Sequence, residues 1–256
     1  MTGFRLRGRA ETPLSFRWNG TAMTGQAGDT LSAALMANGV RLVGRSFKYH
    51  RPRGITAAGE EEAGALATVG EGGRRTPNLK ASVVELEAGL VAASQNHWPS
   101  LGFDLGRVND LMGRFLTAGF YYKTFMGPVA GTRVWMGFEH LIRRAAGLGA
   151  VTTAPDPDLY EQVHDHCDLL VAGAGPAGLA AALEAAEQGA DVILAEQDFA
   201  IGGALLSDPD GAATLAPLAD AVAAHDGIRV LARAQVFGLY DHGVAGVVER
   251  LPAGGP

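Results

Sequence analysis

Apolar and polar residues alternate from Leu14 to Trp18, the period of a strand with one buried face. Asn19-Gly20 follows, the pair that supplies positive φ at both centres of a tight hairpin turn. Thr21 to Gly25 then reads as the returning strand. The period changes after Asp29. Leu31, Ala34, Leu35 and Val40 fall at helical spacing, with Asp29 as N-cap and Asn38-Gly39 as a left-handed stop. Thr68-Val69 and Ser82 to Leu86 are candidate later strands. Hairpin, short helix and further strands predict a small β-grasp domain over 1–95.

From Gln95 to about Gly149 the pattern loses its period. Phe115, Phe120, Tyr121, Tyr122, Phe125, Trp135 and Phe138 gather there among arginines and glycines, as in a connector packed against neighbouring domains. Val151 to Asp158, with Pro155 and Pro157, reads as a linker, so the connector is placed at 96–165. The pattern sharpens again at Asp168-Leu169-Leu170-Val171-Ala172, a short buried strand. A glycine-rich turn comes next, then a helix from Leu179 to Gln188 that stops at Gly189, then a strand from Asp191 to Leu194. Val230 to Val236 reads as the next strand and Gly238 to Val248 as a hairpin start. The chain stops at Pro256, so 166–256 is expected to be the incomplete N-terminal part of a dinucleotide-binding domain, and the chain a fragment. The fold class is α/β, with an α+β N-terminal part: a ferredoxin-like β-grasp followed by a truncated Rossmann-like FAD/NAD(P)-binding domain.

Composition narrows the function classes. A net charge of −6 argues against nucleic acid as the main partner, because phosphate backbones need a basic field. The first residues carry Arg5, Arg7 and Arg9 with no apolar stretch behind them, so no secretory signal is expected. The fifteen uncharged residues between Asp168 and Glu184 fall short of the about 20 that a bilayer span needs. No membrane partner is expected, and the cytoplasm is the expected location. A single cysteine, Cys167, excludes a disulfide scaffold and any site held by four thiolates of this chain. His164-Asp165-His166-Cys167 runs straight into a strand instead of converging from separate elements, so no metal site is expected. The basic run from Arg45 to Gly54 reads as a rigid loop that docks on a partner or an anionic cofactor.

The turn Gly173-Ala174-Gly175-Pro176-Ala177-Gly178 has a strand before it, a helix after it, a second strand at the right distance and Glu196 at that strand's end. Gly173 permits the tight turn, Gly175 lets a pyrophosphate approach the backbone, and Gly178 lets the helix lie close to the sheet. The helix N-terminus offers unpaired N–H groups and a positive dipole end to a diphosphate. Glu196 stands where it can accept hydrogen bonds from both hydroxyls of an adenine ribose. It would repel a 2′-phosphate, and Gln197-Asp198 supplies no arginine to hold one, so NADP is disfavoured. FAD and NAD both fit. The pair Gly202-Gly203, continued by Ala204, is common in flavoproteins and favours FAD on motif alone. The backbone near Gln235-Val236 is a candidate contact for the adenine. No catalytic residue is assigned.

The runs 39–54, Asn96-His97-Trp98-Pro99-Ser100, 118–126, 141–149 and His166-Cys167-Asp168 resemble the α subunits of the heterotetrameric sarcosine oxidase family. The likeness extends over nearly the whole chain but only about the first quarter of the family's long subunit. It implies NAD at the glycine fingerprint, with FAD as the alternative, and FAD and FMN elsewhere in a complex with β, γ and δ subunits. It implies oxidation of sarcosine to glycine, formaldehyde or methylene-tetrahydrofolate, and hydrogen peroxide. The tetrahydrofolate-binding part belongs to a C-terminal region outside this chain. The N-terminal part resembles a two-iron two-sulfur ferredoxin module, but no cysteine precedes Cys167, so the expectation is a domain with no iron–sulfur cluster. Rival readings are an FAD-binding subunit of a related amine or opine dehydrogenase and a non-catalytic assembly module.

Overall fold

The computed structural model describes residues 12–111, 113, 132–145 and 148–251, with only the backbone at 140–145. The aromatic residues from Phe115 to Phe125 and the run 118–126 lie outside the described residues. The chain divides into two compact units, 1–159 and 160–256.

The first unit opens with β1 (Pro13–Trp18) and β2 (Thr21–Gln26), paired antiparallel as the alternation predicts. Asn19 and Gly20 stand at φ 49° and 80°, the doubly left-handed turn that suits the twist of a hairpin. α1 (Leu31–Ala37) buries Leu31, Ala34 and Leu35 and ends at Asn38, with Gly39 at φ 74°. Its N-cap differs from the expectation. Thr30 Oγ1 accepts the Ala33 N–H at 3.2 Å, whereas Asp29 Oδ2 accepts the Gln26 N–H at 2.8 Å and so closes the preceding turn. Both residue types compete for such backbone donors, and the turn claims the carboxylate.

Two short strands, β3 (Gly44–Arg45) and β4 (Pro52–Arg53), close the ends of the basic run. β5 (Leu66–Val69), β6 (Thr76–Lys80) and β7 (Val91–Ser94) complete a five-stranded sheet of order β2-β1-β7-β5-β6. β7 runs parallel to β1, and the other pairs are antiparallel. The core joins Phe16, Trp18, Leu31, Leu35, Val43 and Leu86. Residues 82–86, expected as a strand, form none. Their groups serve loops instead: Ser82 Oγ donates to the Gly59 carbonyl at 2.8 Å, and the Leu86 N–H to the Asp29 carbonyl at 2.9 Å. Among the described residues, the helices α2 (Val108–Leu111) and α3 (Arg133–Ala145) follow. The proline-bearing segment 151–158 has no regular structure and lies on this unit. A Cβ on Gly73 would stand 2.0 Å from the Pro155 carbonyl oxygen, and Arg74 pairs with Asp158 at 2.7 Å.

Two buried carboxylates organise the loops of this unit. Glu62 is 1% exposed and accepts the N–H groups of Thr56, Ala57 and Gly64 at 2.6, 2.7 and 2.5 Å. Asp104 accepts the N–H groups of Trp98 and Gly106, both at 3.0 Å, and lies 2.7 Å from His50 Nδ1. Burial pushes both carboxyls up, but these donors outweigh it and hold both below the usual carboxylate range.

The second unit begins with β8 (Leu169–Ala172), α4 (Pro176–Glu187) and β9 (Val192–Glu196). α5 (Gly211–Ala224) and β10 (Ile228–Ala232) follow, and the three strands form a parallel sheet of order β10-β9-β8. Central β9 is buried at all five positions, which is why its apolar run shows no alternation. Leu179, Ala182 and Ala186 of α4 pack with Val192 and Leu194 of β9 and Val222 of α5. The strand expected at 230–236 is two strands. Arg233, at φ 58°, breaks it, and β11 (Ala234–Tyr240) turns away to pair with β12 (Val244–Glu249). The hairpin therefore starts at Ala234, not Gly238. Among the described residues, no helix is long and apolar enough to cross a membrane.

The depressed carboxyls fix how the first unit responds to acid. Their stabilisation is fully present above the unfolded carboxylate range near pH 4 and is lost as pH falls through the folded values. The unfolding midpoint of the first unit should thus be level from pH 7 to 5 as far as these groups act, and fall below about pH 4. Glu62→Gln turns an amide donor toward three N–H donors and should cost about 1–3 kcal/mol at pH 7. It should also flatten the acid limb. Calorimetry against pH checks both, and an unchanged acid limb would remove Glu62 from this role.

Candidate functional site

The link between β8 and α4 is built by its glycines. Gly173, at φ 102°, turns the chain off β8 and donates its N–H to the Ala195 carbonyl at 2.7 Å. A Cβ there would force a left-handed side-chain residue into the turn. Gly175 is the N-cap of α4 and Pro176 its first residue, where the missing proline N–H is no loss. The helix therefore starts three residues before the expected Leu179. Its first internal bond runs from the Leu179 N–H to the Gly175 carbonyl at 2.9 Å, so the N–H groups of Ala177 and Gly178 precede the ladder. Gly178 is required for close packing: a Cβ on it would stand 1.9 Å from the Gly173 carbonyl oxygen.

Glu196 ends β9 and is 6% exposed. Its Oε2 accepts the Ala174 N–H at 2.6 Å and its Oε1 the Asp198 N–H at 2.9 Å. The carboxylate thus ties the turn after β8 to the end of β9. On the other side, the Gly202 N–H donates to the Ala174 carbonyl at 2.8 Å. This contact lays the Gly202-Gly203 pair against the turn. A Cβ on Gly203, itself at φ 53°, would stand 2.9 Å from the Gly175 Cα. Two stretches of bare backbone and an exposed helix start therefore share one place, and side chains there would fill it.

The structure brings together Gly173, Ala174, Gly175, Pro176, Gly178, Glu196, Asp198 and Gly203. Ala177 lies exposed in the first turn of α4, and Gln197 exposed between Glu196 and Asp198. Ala204 follows Gly203 in a single helical turn, Gly203–Leu206. Val236 lies inside β11, paired with Val247. The contact from that region is instead Arg233, whose N–H donates to the Asp198 carbonyl at 2.9 Å. No sequence signal marks Arg233, because a left-handed arginine is dictated by this tertiary bond and not by residue type. At the approach to β8, Asp165 pairs with Arg229 at 2.6 Å. The His166 N–H first, then Arg229, holds the Asp165 carboxyl below its usual range. Among the described residues, no three His, Cys, Asp or Glu side chains converge as metal ligands would.

Two family models match separate stretches of the chain. Residues 11–97 match a family described as a 2Fe-2S iron-sulfur cluster binding domain, and residues 168–239 one described as FAD dependent oxidoreductase. The first match corrects the expectation of a domain without an iron–sulfur cluster, since the family is one of cluster binders and points to an iron–sulfur cofactor. The residues here do not supply the usual ligands: the single cysteine, Cys167, lies outside the matched range.

The L-proline dehydrogenase of P. horikoshii shares the fold at a TM-score of 0.56, with 17% identity, over 97% of this chain and 40% of that one. The Rhizobium meliloti (strain 1021) protein named sarcosine oxidase subunit alpha is 52% identical over 98% of this chain and 26% of its own length. Its namesake from Corynebacterium sp. (strain U-96) is 32% identical over 89% of this chain and 20% of its own. The chain thus spans about a fifth to a quarter of the length of the curated relatives it matches. Over nearly all of its own length, it is a homologue of sarcosine oxidase subunit alpha.

Proposed function

We propose that the chain is the N-terminal, cofactor-binding portion of the α subunit of a sarcosine-oxidising complex, and that its second unit holds the ADP half of NAD. The observation that carries this reading is the arrangement around Ala174. Glu196, a bare glycine turn and an open helix start stand together, and each has a task toward one part of an ADP group. The first-turn N–H groups of α4 would receive the diphosphate, with Gly175 and Gly203 leaving room for it. Each Glu196 oxygen already accepts one backbone N–H and keeps a second lone pair for a ribose hydroxyl. When bound, the nicotinamide end supplies hydride-accepting chemistry.

The second reading is FAD in the same place, favoured by the family match over 168–239. It would use the same ADP contacts. The amine-oxidising groups are assigned in this proposal to other subunits of the complex, and sarcosine is its substrate.

Titration of the chain with NAD, NADP and FAD tests the assignment, together with mass analysis of the nucleotide released from the full complex. NAD should bind well ahead of NADP. Glu196→Ala leaves the Ala174 and Asp198 N–H groups without their acceptor and should weaken dinucleotide binding by about 1–3 kcal/mol. Unchanged NAD affinity in that variant would remove Glu196 from the site.

Gly178→Ala tests the turn by a different route. Its methyl group meets the Gly173 carbonyl, so α4 must move away from the sheet. Overpacking of this kind costs about 1–3 kcal/mol. Denaturant unfolding followed by circular dichroism should show that loss in the second unit's transition, alongside weaker dinucleotide binding.

A further inference from the structure

The basic run 45–54 has no part in the dinucleotide site, yet it is among the most tightly determined segments of the first unit. β3 and β4 close its ends, and Asn96 Nδ2 donates to the carbonyls of Arg45 and Ser46 at 3.2 and 2.7 Å. Arg45 is 8% exposed; its Nε and Nη2 donate to the Leu101 carbonyl at 3.0 and 2.6 Å, and its Nη1 to the His50 carbonyl at 3.3 Å. His50 leans on Asp104, and Arg51 pairs with Asp110 at 2.7 Å. These ties hold Lys48 at φ 37° and His50 at φ 53°. Side-chain residues persist in that region only where the surroundings over-determine them, and such positions gather at ligand clamps.

The loop walls a cavity of ≈ 250 Å³. Arg45, Lys48, Arg51 and Arg53 stand in its wall with Phe47 and Tyr49, and among the described residues no acidic side chain does. Asp104, 4.0 Å from Arg45, and Asp110, paired with Arg51, lie outside that wall and offset part of those two charges, and Glu62 lies behind the wall residue Gly64, whose N–H it accepts. The Tyr49 ring has Lys48 and Arg51 at 5.0 and 4.9 Å from its centroid, so the aromatic fixes where two of the cations stand. In a chain of net charge −6, this is a local reversal of sign, and a concave low-dielectric wall focuses such a field.

We propose that this cavity is a binding site for a small phosphate-bearing anion. Arg53, exposed at the mouth, and Lys48 meet the phosphate oxygens; Arg45, tied to backbone carbonyls and 4.0 Å from Asp104, holds the wall in shape; Tyr49 and Phe47 offer a flat apolar flank. Guanidinium groups suit this task because their fork matches two phosphate oxygens at once.

The test is a titration of the full chain with inorganic pyrophosphate, followed by calorimetry and by backbone amide chemical shifts. Shifts are expected at residues 46–53 and 95–96. Raising the salt should weaken the binding, as screening of exposed charges requires. The double variant Lys48→Gln with Arg53→Gln should weaken it at least tenfold, about 1.4 kcal/mol. Should that variant fold poorly, Arg53→Gln alone, at an exposed position, still reads the loss. Gly178→Ala, which perturbs the dinucleotide site, should leave these shifts intact and so separates the two proposals. Shifts confined to 173–178 and 203, or an affinity unchanged by the charge-removing variants, would overturn the site.

Discussion

A carboxylate buried at the end of a parallel strand must find hydrogen-bond donors, and in the second unit that demand shapes everything around it. Glu196 finds two, the N–H groups of Ala174 and Asp198. Removing it would leave both N–H groups unsatisfied where water is scarce. The bond to Ala174 fixes the turn after β8, and the turn fixes where α4 begins. The bond to Asp198 bends the chain beyond β9, which lets the Asp198 carbonyl receive Arg233 and sends β11 off the parallel sheet. One side chain thus links the turn after β8, the start of α4 and the strand that leaves.

The first unit uses the same device twice. Glu62 gathers three backbone donors into one loop, and Asp104 gathers two together with His50. Ile55 packs the Glu62 loop against the apolar core, and the carboxylate adds to that packing. A buried anion ringed by N–H groups is a stronger constraint, because each charge-assisted bond is shorter and more directional than a neutral one. It also makes the loops acid-sensitive in one direction only, since protonation removes acceptor capacity and adds a donor.

Much of this was legible in the sequence where the determinants are local. Asn19-Gly20 between alternating strands gives its hairpin, and Asn38-Gly39 its helix stop, because each depends on a few neighbouring residues. The glycine turn was legible for the same reason, and the distance to Glu196 followed from the length of one helix and one strand. β6 was not, since Thr76-Pro77-Asn78 has neither alternation nor strand propensity and is held by pairing with β5. Residues 82–86 show strand-like character, but their backbone is used by the α1 cap and the loop at Gly59. The break at Arg233 and the Thr30 cap are decided by partners distant in sequence or by competition between adjacent side chains. The cavity behind Arg45 was visible only as a basic run, because its shape comes from Asn96, Leu101 and Asp104, some fifty residues further on.

The proposed ADP site is selective by the sign of charge at two places a few residues apart. At the start of α4, N–H groups and the helix dipole favour a diphosphate, and no carboxylate stands in that turn. At the end of β9 the charge is negative and buried. A 2′-phosphate about 4 Å from Glu196 would feel about 4 kcal/mol of repulsion per unit charge at an effective dielectric of about 20. Moving the side chain away would free the Ala174 N–H and loosen the turn on which the diphosphate depends. In that proposal the residue that would exclude the extra phosphate is the one that builds the turn for the other two, so discrimination against NADP would not be lost without weakening the site for NAD.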